Sequence, residues 1–352
     1  MSAGNKNNRR VTIYDIAREL DLAPSSVSKA LNNMPNISNK IKLLVKSKAQ
    51  ELNYKHNLNA SNLRKGSSSI VAVIVPKINV AFFSSVIAGM EEACYEKNHR
   101  LIICQTDESF KKEVQAVETM IHQNVDCIFI SLSLETKSTE HLQEIIDNQI
   151  QLIQFDRVSD SIDSYMIVNE NTDAAYKAVK HLMQQGYKKI AFLGGPDHLK
   201  IYSDRKEGYL KAIREAGIMI PYHYVAKDIL NKEAGMAAAM ELLQSQDPPD
   251  AFFTISDYSA LGVLTAAQAL GLSVPKQLGI VGFSNENFTD IITPTLSSVD
   301  QNSRLLGKQA ANVYFDLLNN PENQTGEVKS KETVIQCSLI ARDSSAKKKN
   351  KK

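Results

Sequence analysis

Residues 12–32 read TIYDIARELDLAPSSVSKALN, and their spacing decides the N-terminal fold. Ile13, Ile16, Ala17 and Leu20 fall on one helical face, with Thr12 placed as N-cap and Asp15 three residues later. Asp21, Leu22 and Ala23 break the pattern. A second helix opens at Pro24, a residue suited to a first helical turn, and turns Val27, Ala30 and Leu31 inward. After Asn32, Asn33, Met34 and Pro35, Ser38 caps a third helix whose Ile41, Leu44, Val45 and Leu52 are expected in the core. Two short helices across a tight turn, braced by a third, predict a helix-turn-helix module. Ser25, Ser26, Ser28 and Lys29 are then left to project from the second helix, where hydroxyls and an ammonium suit base edges or phosphates. A solvated polar face has the same appearance, and the charge of the segment favours the nucleic-acid reading.

Residues 1–66 carry twelve Lys/Arg against four Asp/Glu, whereas residues 67–346 are net negative beneath an overall charge of +2. A basic head on an acidic body predicts that the head alone meets a polyanion. The lysines from 347 to 352 read as a disordered tail from residue 343 onward. The 352 residues suit two or three domains, and 43% hydrophobic with 23% charged residues is an ordinary globular composition. No stretch is long and apolar enough for a membrane span, and the polar start MSAGNKNNRR has no apolar run behind it, which predicts a cytoplasmic chain. Cys94, Cys104, Cys127 and Cys337 have neither CxxC nor Cys/His spacing, so no disulfide framework, metal or cofactor is expected.

From Ile70 onward short apolar runs alternate with amphipathic stretches. Residues 70–75, 101–104, 127–130, 152–155, 190–193, 251–254 and 279–283 read as buried parallel strands, and 84–97, 173–185, 203–216 and 234–244 as helices. This order predicts doubly wound α/β architecture with right-handed crossovers, in two lobes rather than one. Ligands of such sheets sit beyond the carboxyl ends of strands. That rule selects residues 79–85, Asp156, Arg157, 194–205, Ser256, Asp257 and 283–285. Arg205 offers a guanidinium for hydroxyls or phosphate, Asp156 and Asp257 accept hydroxyl protons, and Phe82, Phe83 and Phe283 offer apolar platforms; Ser256 and Ser284 complete the candidate set. Each has a plainer reading: Asp257 as a helix cap, Asp156 with Arg157 as an interlobe pair, and the phenylalanines as core.

Catalytic motifs are not evident. Residues 282–286, GFSNE, lack the last glycine of a nucleophile elbow, Gly194-Gly195-Pro196 lacks dinucleotide spacing, and there is no GxxxxGK[ST] or HExxH. The chain is not expected to be an enzyme.

The stretches VTIYDIARELDLAPSSVSKALNN, ISNKIKLLVKSKAQELNY and NLNASNLRKGSSSIVAVIVP resemble the N-terminal half of LacI/GalR-family transcriptional regulators. FFSSVIAGMEEA, IQFDRV, YSDRKEGY, SDYSALG and GIVGFSNE extend the likeness in order to about residue 318. The resemblance implies a small all-α helix-turn-helix DNA-binding domain (10–56), a hinge helix and linker (57–69), and a two-lobed α/β periplasmic-binding-protein-like domain (70–342). Lobe 1 would hold 70–159 and 291–322, and lobe 2 would hold 160–290 and 323–342. It further implies a homodimer on a pseudo-palindromic double-stranded operator. Pro24, Ser25 and Lys29 would face the bases, with Ser26 beside them and Thr12, Tyr14, Ser28 and Asn32 on phosphates. In the hinge, Ala60 and Arg64 would flank Leu63, which would wedge into the minor groove. A carbohydrate or sugar phosphate would bind between the lobes. Two departures bear on these roles: Ala23 replaces the usual hydroxyl cap, and Pro24 offers the bases only apolar contact. Ser256, Ser284 and Asn169 stand where sugar-binding members carry Asn, Asp and Asp, which points away from the usual free sugars. Other functions compatible with the residues are a cytosolic sugar-binding module without DNA and a regulator controlled by a protein partner.

Overall fold

The computed structural model describes residues 11–54, 68–319 and 331–347. The chain divides between Ser67 and Ser68 into two compact units. The hinge candidates Ala60, Leu63 and Arg64 lie outside the described residues.

The first unit is three helices, α1 (Ile13–Leu20), α2 (Pro24–Leu31) and α3 (Asn39–Glu51). Asp15 accepts from the Thr12 backbone N–H at 2.9 Å and from its hydroxyl at 2.7 Å, which fixes the start of α1. Asp21, in the left-handed region at φ 50°, ends α1 and turns the chain into Pro24. No side chain caps α2, as Ala23 requires, whereas Ser38 accepts from Ile41 N–H. Ile16, Ala17, Val27, Ala30, Val45 and Ala49 form the core. Leu44, expected inside, is half exposed, and Leu43 beside it is more so. The core of so small a module is filled by Val45 and Ala49 from one stripe of α3, and Leu44 falls beside that stripe.

The second unit holds two six-stranded sheets. β1 (Ile70–Val75), β2 (Arg100–Gln105), β3 (Cys127–Ile130), β4 (Gln151–Phe155), β5 (Tyr165–Asn169) and β11 (Glu332–Ile335) form the first, in the order β11-β5-β4-β3-β1-β2 and all parallel. β6 (Ile190–Leu193), β7 (Val225–Ala226), β8 (Ala251–Thr254), β9 (Gly279–Phe283), β10 (Ser297–Asp300) and β12 (Ser338–Ile340) form the second, ordered β12-β10-β9-β8-β6-β7. Only β12 in that set runs antiparallel to its neighbour.

Central strands are apolar on both faces because helices cover both. Val71, Val73 and Val75 of β1 pack beneath α4 (Ala81–Glu96) and α11 (Ser303–Asn319), while Ala72 and Ile74 face α5 (Phe110–His122) and α6 (Glu140–Asp147). In the second lobe, Phe253 faces α7 (Asn171–Gln184) and α8 (Lys200–Glu215), and Phe252 faces α9 (Lys232–Leu243) and α10 (Asp257–Ala269). Helices α4 and α11 approach closely: a Cβ on Gly89 would stand 2.1 Å from the Arg304 carbonyl oxygen, and one on Gly307 2.0 Å from that of Val86.

Several expectations need correction. Strand β2 is an edge, not a buried strand, and Ile103 is half exposed. The lobe boundaries also shift. β5 belongs to the first sheet, so the chain crosses near 170 rather than 160. β10 belongs to the second, so the return falls at 301–302 rather than 290. β11 again belongs to the first, which moves the last crossing to 336–337 from near 322. Asn169 and Gln301 hold the first two crossings together, Gln301 Nε2 donating to Asn169 Oδ1 at 3.1 Å and Asn169 Nδ2 to Gln301 O at 2.8 Å. The tail does not begin at 343. Ser344 and Ser345 are buried, and Ser344 Oγ accepts from Ser297 N–H at 2.8 Å and donates to Ile280 O at 2.7 Å. No helix among the described residues is long and apolar enough to cross a membrane.

Candidate nucleic-acid interface and interlobe cleft

On the first unit, α2 presents one polar edge. Ser25 and Lys29 are exposed and Ser26 is half-buried. Ser28 is buried, so it does not project as expected: it lies beside Val27 on the face that meets the core, and its carbonyl accepts from Asn32 Nδ2. Tyr14 is well exposed on α1, Asn32 is exposed at the end of α2, and Thr12 is committed to Asp15. Pro24 is half-buried.

Between the two sheets lies a cleft of about 450 Å³, at the carboxyl ends of strands where α4, α8 and α10 begin. It gathers Phe82, Phe83, Asp156, Arg205, Ser256, Asp257 and Ser284 from the sequence candidates. Phe283 does not reach it. Its ring is fully buried and lies under the Arg205 guanidinium, 3.7 Å from the guanidinium carbon, so it seats a cation rather than a ligand. Phe82 and Phe83 are core residues with an edge on the cleft.

Arg205 is itself buried. Its Nε donates to Asn171 Oδ1 at 2.9 Å and one terminal nitrogen to Ile255 O at 2.8 Å, which aims the guanidinium from α8 toward Asp156. Burial raises the Asp156 carboxyl above its ordinary range, against the pull of Arg157 and Arg205; burial lowers Arg205, against the pull of Asp156. Asp156 and Arg157 form no ion pair with each other. Arg157 binds Glu108 of its own lobe at 2.8 Å and lies between the rings of Phe83 and Tyr202, the latter from the opposite lobe. His198 Nε2 also meets the Leu134 carbonyl across the cleft, at 2.9 Å.

Ser256, not Asp257, caps α10: its hydroxyl accepts from Ser259 N–H at 3.2 Å. The Asp257 carboxylate is turned below the cleft floor, where it accepts from Glu286 N–H at 2.7 Å and Ser298 Oγ at 2.6 Å. Ser284, at φ 108°, donates to Gln301 Oε1 at 2.9 Å. The strand-end rule selects 283–285 and stops short of Glu286, a buried carboxylate on the cleft wall; Tyr202 falls within the selected 194–205, whereas Asn171 and Gln301 lie outside every selected segment. A carboxylate beside the selected 283–285 turn was the available signal.

Burial pushes the Asp257 carboxyl up to about 7 against the two donors that favour its ionised form. A carboxyl raised on folding binds more protons folded than unfolded. Its stabilising contribution is therefore present below the unfolded range near 3.8 and is lost as pH rises through 7. The urea midpoint is expected to fall between pH 5 and 8, and Asp257→Asn, whose amide can accept from Glu286 N–H and donate to Ser298, should flatten that slope. An unchanged slope would mean that Asp257 is not the titrating group.

A basic three-helix unit followed in the sequence by a two-lobed α/β unit with a polar, aromatic-lined cleft defines the class: a DNA-binding regulator with a ligand-binding body. Comparison with known proteins agrees. Residues 179–345 match the periplasmic binding protein-like domain family. The NTD biosynthesis operon regulator NtdR of Bacillus subtilis is 30% identical over 299 residues, covering 85% of this chain and 90% of its own. The HTH-type transcriptional repressor CytR of Escherichia coli is 28% identical over 340 residues, covering 96% and 97%. The lac repressor dimer bound to operator and an anti-inducer superposes with a TM-score of 0.83 at 22% identity, covering 96% of this chain and all of that one. The chain belongs to the LacI/GalR family of transcriptional regulators, and it is a regulator rather than an enzyme.

Proposed function

We propose that the chain acts in the cytoplasm as a homodimer on a pseudo-palindromic operator, with a small molecule in the interlobe cleft setting its affinity. The exposed polar edge of α2 carries the DNA-reading part of this account. Ser25 and Lys29, with Ser26 beside them, stand where a recognition helix meets bases, and Tyr14 and Asn32 flank them as phosphate contacts. Thr12 is held by Asp15 and contributes by fixing the start of α1. Ala60, Leu63 and Arg64 keep their proposed hinge roles, Leu63 as the minor-groove wedge. The same symmetry that gives a palindromic operator requires two copies of the head one helical turn apart.

The cleft supports effector control. It joins groups from both lobes around Asp156 and Arg205, so a ligand that contacts both changes the free energy of one lobe arrangement relative to another. A carbohydrate or sugar phosphate is the effector class the family suggests.

Lys29→Ala is the direct test of the reading edge. It should cost about 1–3 kcal/mol on operator DNA if Lys29 meets a base, or lower the salt slope by about one if it meets a phosphate. Binding assays on operator and random duplexes across a salt series separate the two, and no change in either quantity would remove Lys29 from the interface.

A further inference from the structure

Helix α4 begins without a cap of its own. Its N-cap residue is Val80, whose side chain has no acceptor, and its first turn, Ala81-Phe82-Phe83-Ser84, holds no acidic residue. A helix start of this kind leaves backbone N–H groups and a partial positive charge open to any anion that reaches them. Glu286 reaches them from the opposite lobe. It stands on the turn after β9, only 4% exposed, and its two carboxylate oxygens accept from Ala81 N–H at 3.2 Å and Phe82 N–H at 3.4 Å. Tyr258 lines the same wall of the cleft, and the Glu286 backbone N–H is anchored on Asp257.

The lining sets three cations, Lys77, Arg157 and Arg205, against four carboxylates, Glu108, Asp156, Asp257 and Glu286. Arg157 is paired with Glu108, Arg205 faces Asp156, and Lys77 lies 3.8 Å from Asp107. Among the described residues the wall therefore offers no surplus positive charge, and the helix start at Val80, which opens on it, already holds a carboxylate.

We propose that Glu286 is a tethered anion that fills the anion-binding position of the cleft, so that the effector accepted at that end is uncharged or cationic rather than a phosphate or carboxylate. The same contact bridges the two lobes: a group on the second lobe closes the helix end of the first. The inference rests on the effector-cleft reading above and narrows it against sugar phosphates. An anionic ligand would have to displace Glu286 and leave a second carboxylate buried beside Asp257, which low-dielectric surroundings oppose.

Hydrogen exchange of the amides at the start of α4, read on the full chain by mass spectrometry, tests the assignment with inorganic phosphate as the probe. In the parent protein these amides should be protected and indifferent to phosphate. In Glu286→Ala they should exchange about tenfold faster or more, the change expected when a charge-assisted hydrogen bond is removed. Phosphate should then restore part of the protection. Glu286→Gln, which keeps an acceptor without the charge, should fall between the two and serves if the alanine variant does not fold. Parent-like exchange in the variants, added protection of the parent by phosphate, or no rescue of the alanine variant by phosphate would each overturn the proposal. None of these readings involves an effector. Failure of every candidate ligand to change operator affinity would instead overturn effector control, and would leave the exchange result standing.

Discussion

A chain shortened to residues 68–352 should lose operator affinity by about a thousandfold or more, the gap that separates specific from nonspecific binding. Its thermal unfolding should remain cooperative. The reason lies in the division between Ser67 and Ser68. The helices before it have their own core of Ile16, Ala17, Val27, Ala30, Val45 and Ala49, and the sheets after it are packed by separate clusters. The removed segment also carries the excess of Lys/Arg, whereas residues 67–346 are net negative and repel phosphates. Filter binding and calorimetry check the two halves of the expectation. Operator binding retained by the shortened chain would place the DNA site on the lobes and reject the role given to α2.

Arg205→Ala is the second large effect. The guanidinium satisfies Asn171 Oδ1 and the Ile255 carbonyl, rests on the Phe283 ring and faces the buried Asp156 carboxyl. Alanine removes all four relations at once and leaves Asp156 with Arg157 alone to oppose its burial. Loss of one partner from a buried charged set costs about 3–5 kcal/mol. The variant should therefore unfold at markedly lower denaturant and lose its response to any effector, while the head keeps its contact residues. Arg205→Lys should recover charge but not the fork to Asn171 and Ile255, and so regain only part of the stability. Denaturant melts of the three proteins give the ranking, and equal midpoints would show that Arg205 is not the support of the cleft floor.

The contrast between head and body shows what was legible. In the head, helical period and capping chemistry are local, and Thr12, Asp15, Pro24 and Ser38 mark the observed starts. Only the outward readings of Ser28 and the inward reading of Leu44 failed, because one residue of rotation decides burial on a short helix. In the body, apolar runs located seven strands. β10, with the sequence SSVD, was invisible: its buried serines are satisfied by Ser344, Asp257 and their neighbours, far away in the chain. The lobe boundaries moved for the same reason, since β5, β10 and β11 take their sheet from pairing and not from composition. The strand-end rule placed seven of the eight cleft candidates on its wall. It did not reveal that Phe283 lies behind Arg205, or that Glu286 spans the lobes, because both depend on contacts between distant segments.

The central claim is that this chain reads a two-fold DNA sequence through α2. Selection of genomic fragments by the purified full-length protein at near-physiological salt tests it most directly. The account predicts enrichment of one pseudo-palindrome with half-sites one helical turn apart around a deformable central step. Recovery of fragments with no shared sequence, at affinities that fall with salt alone, would contradict it.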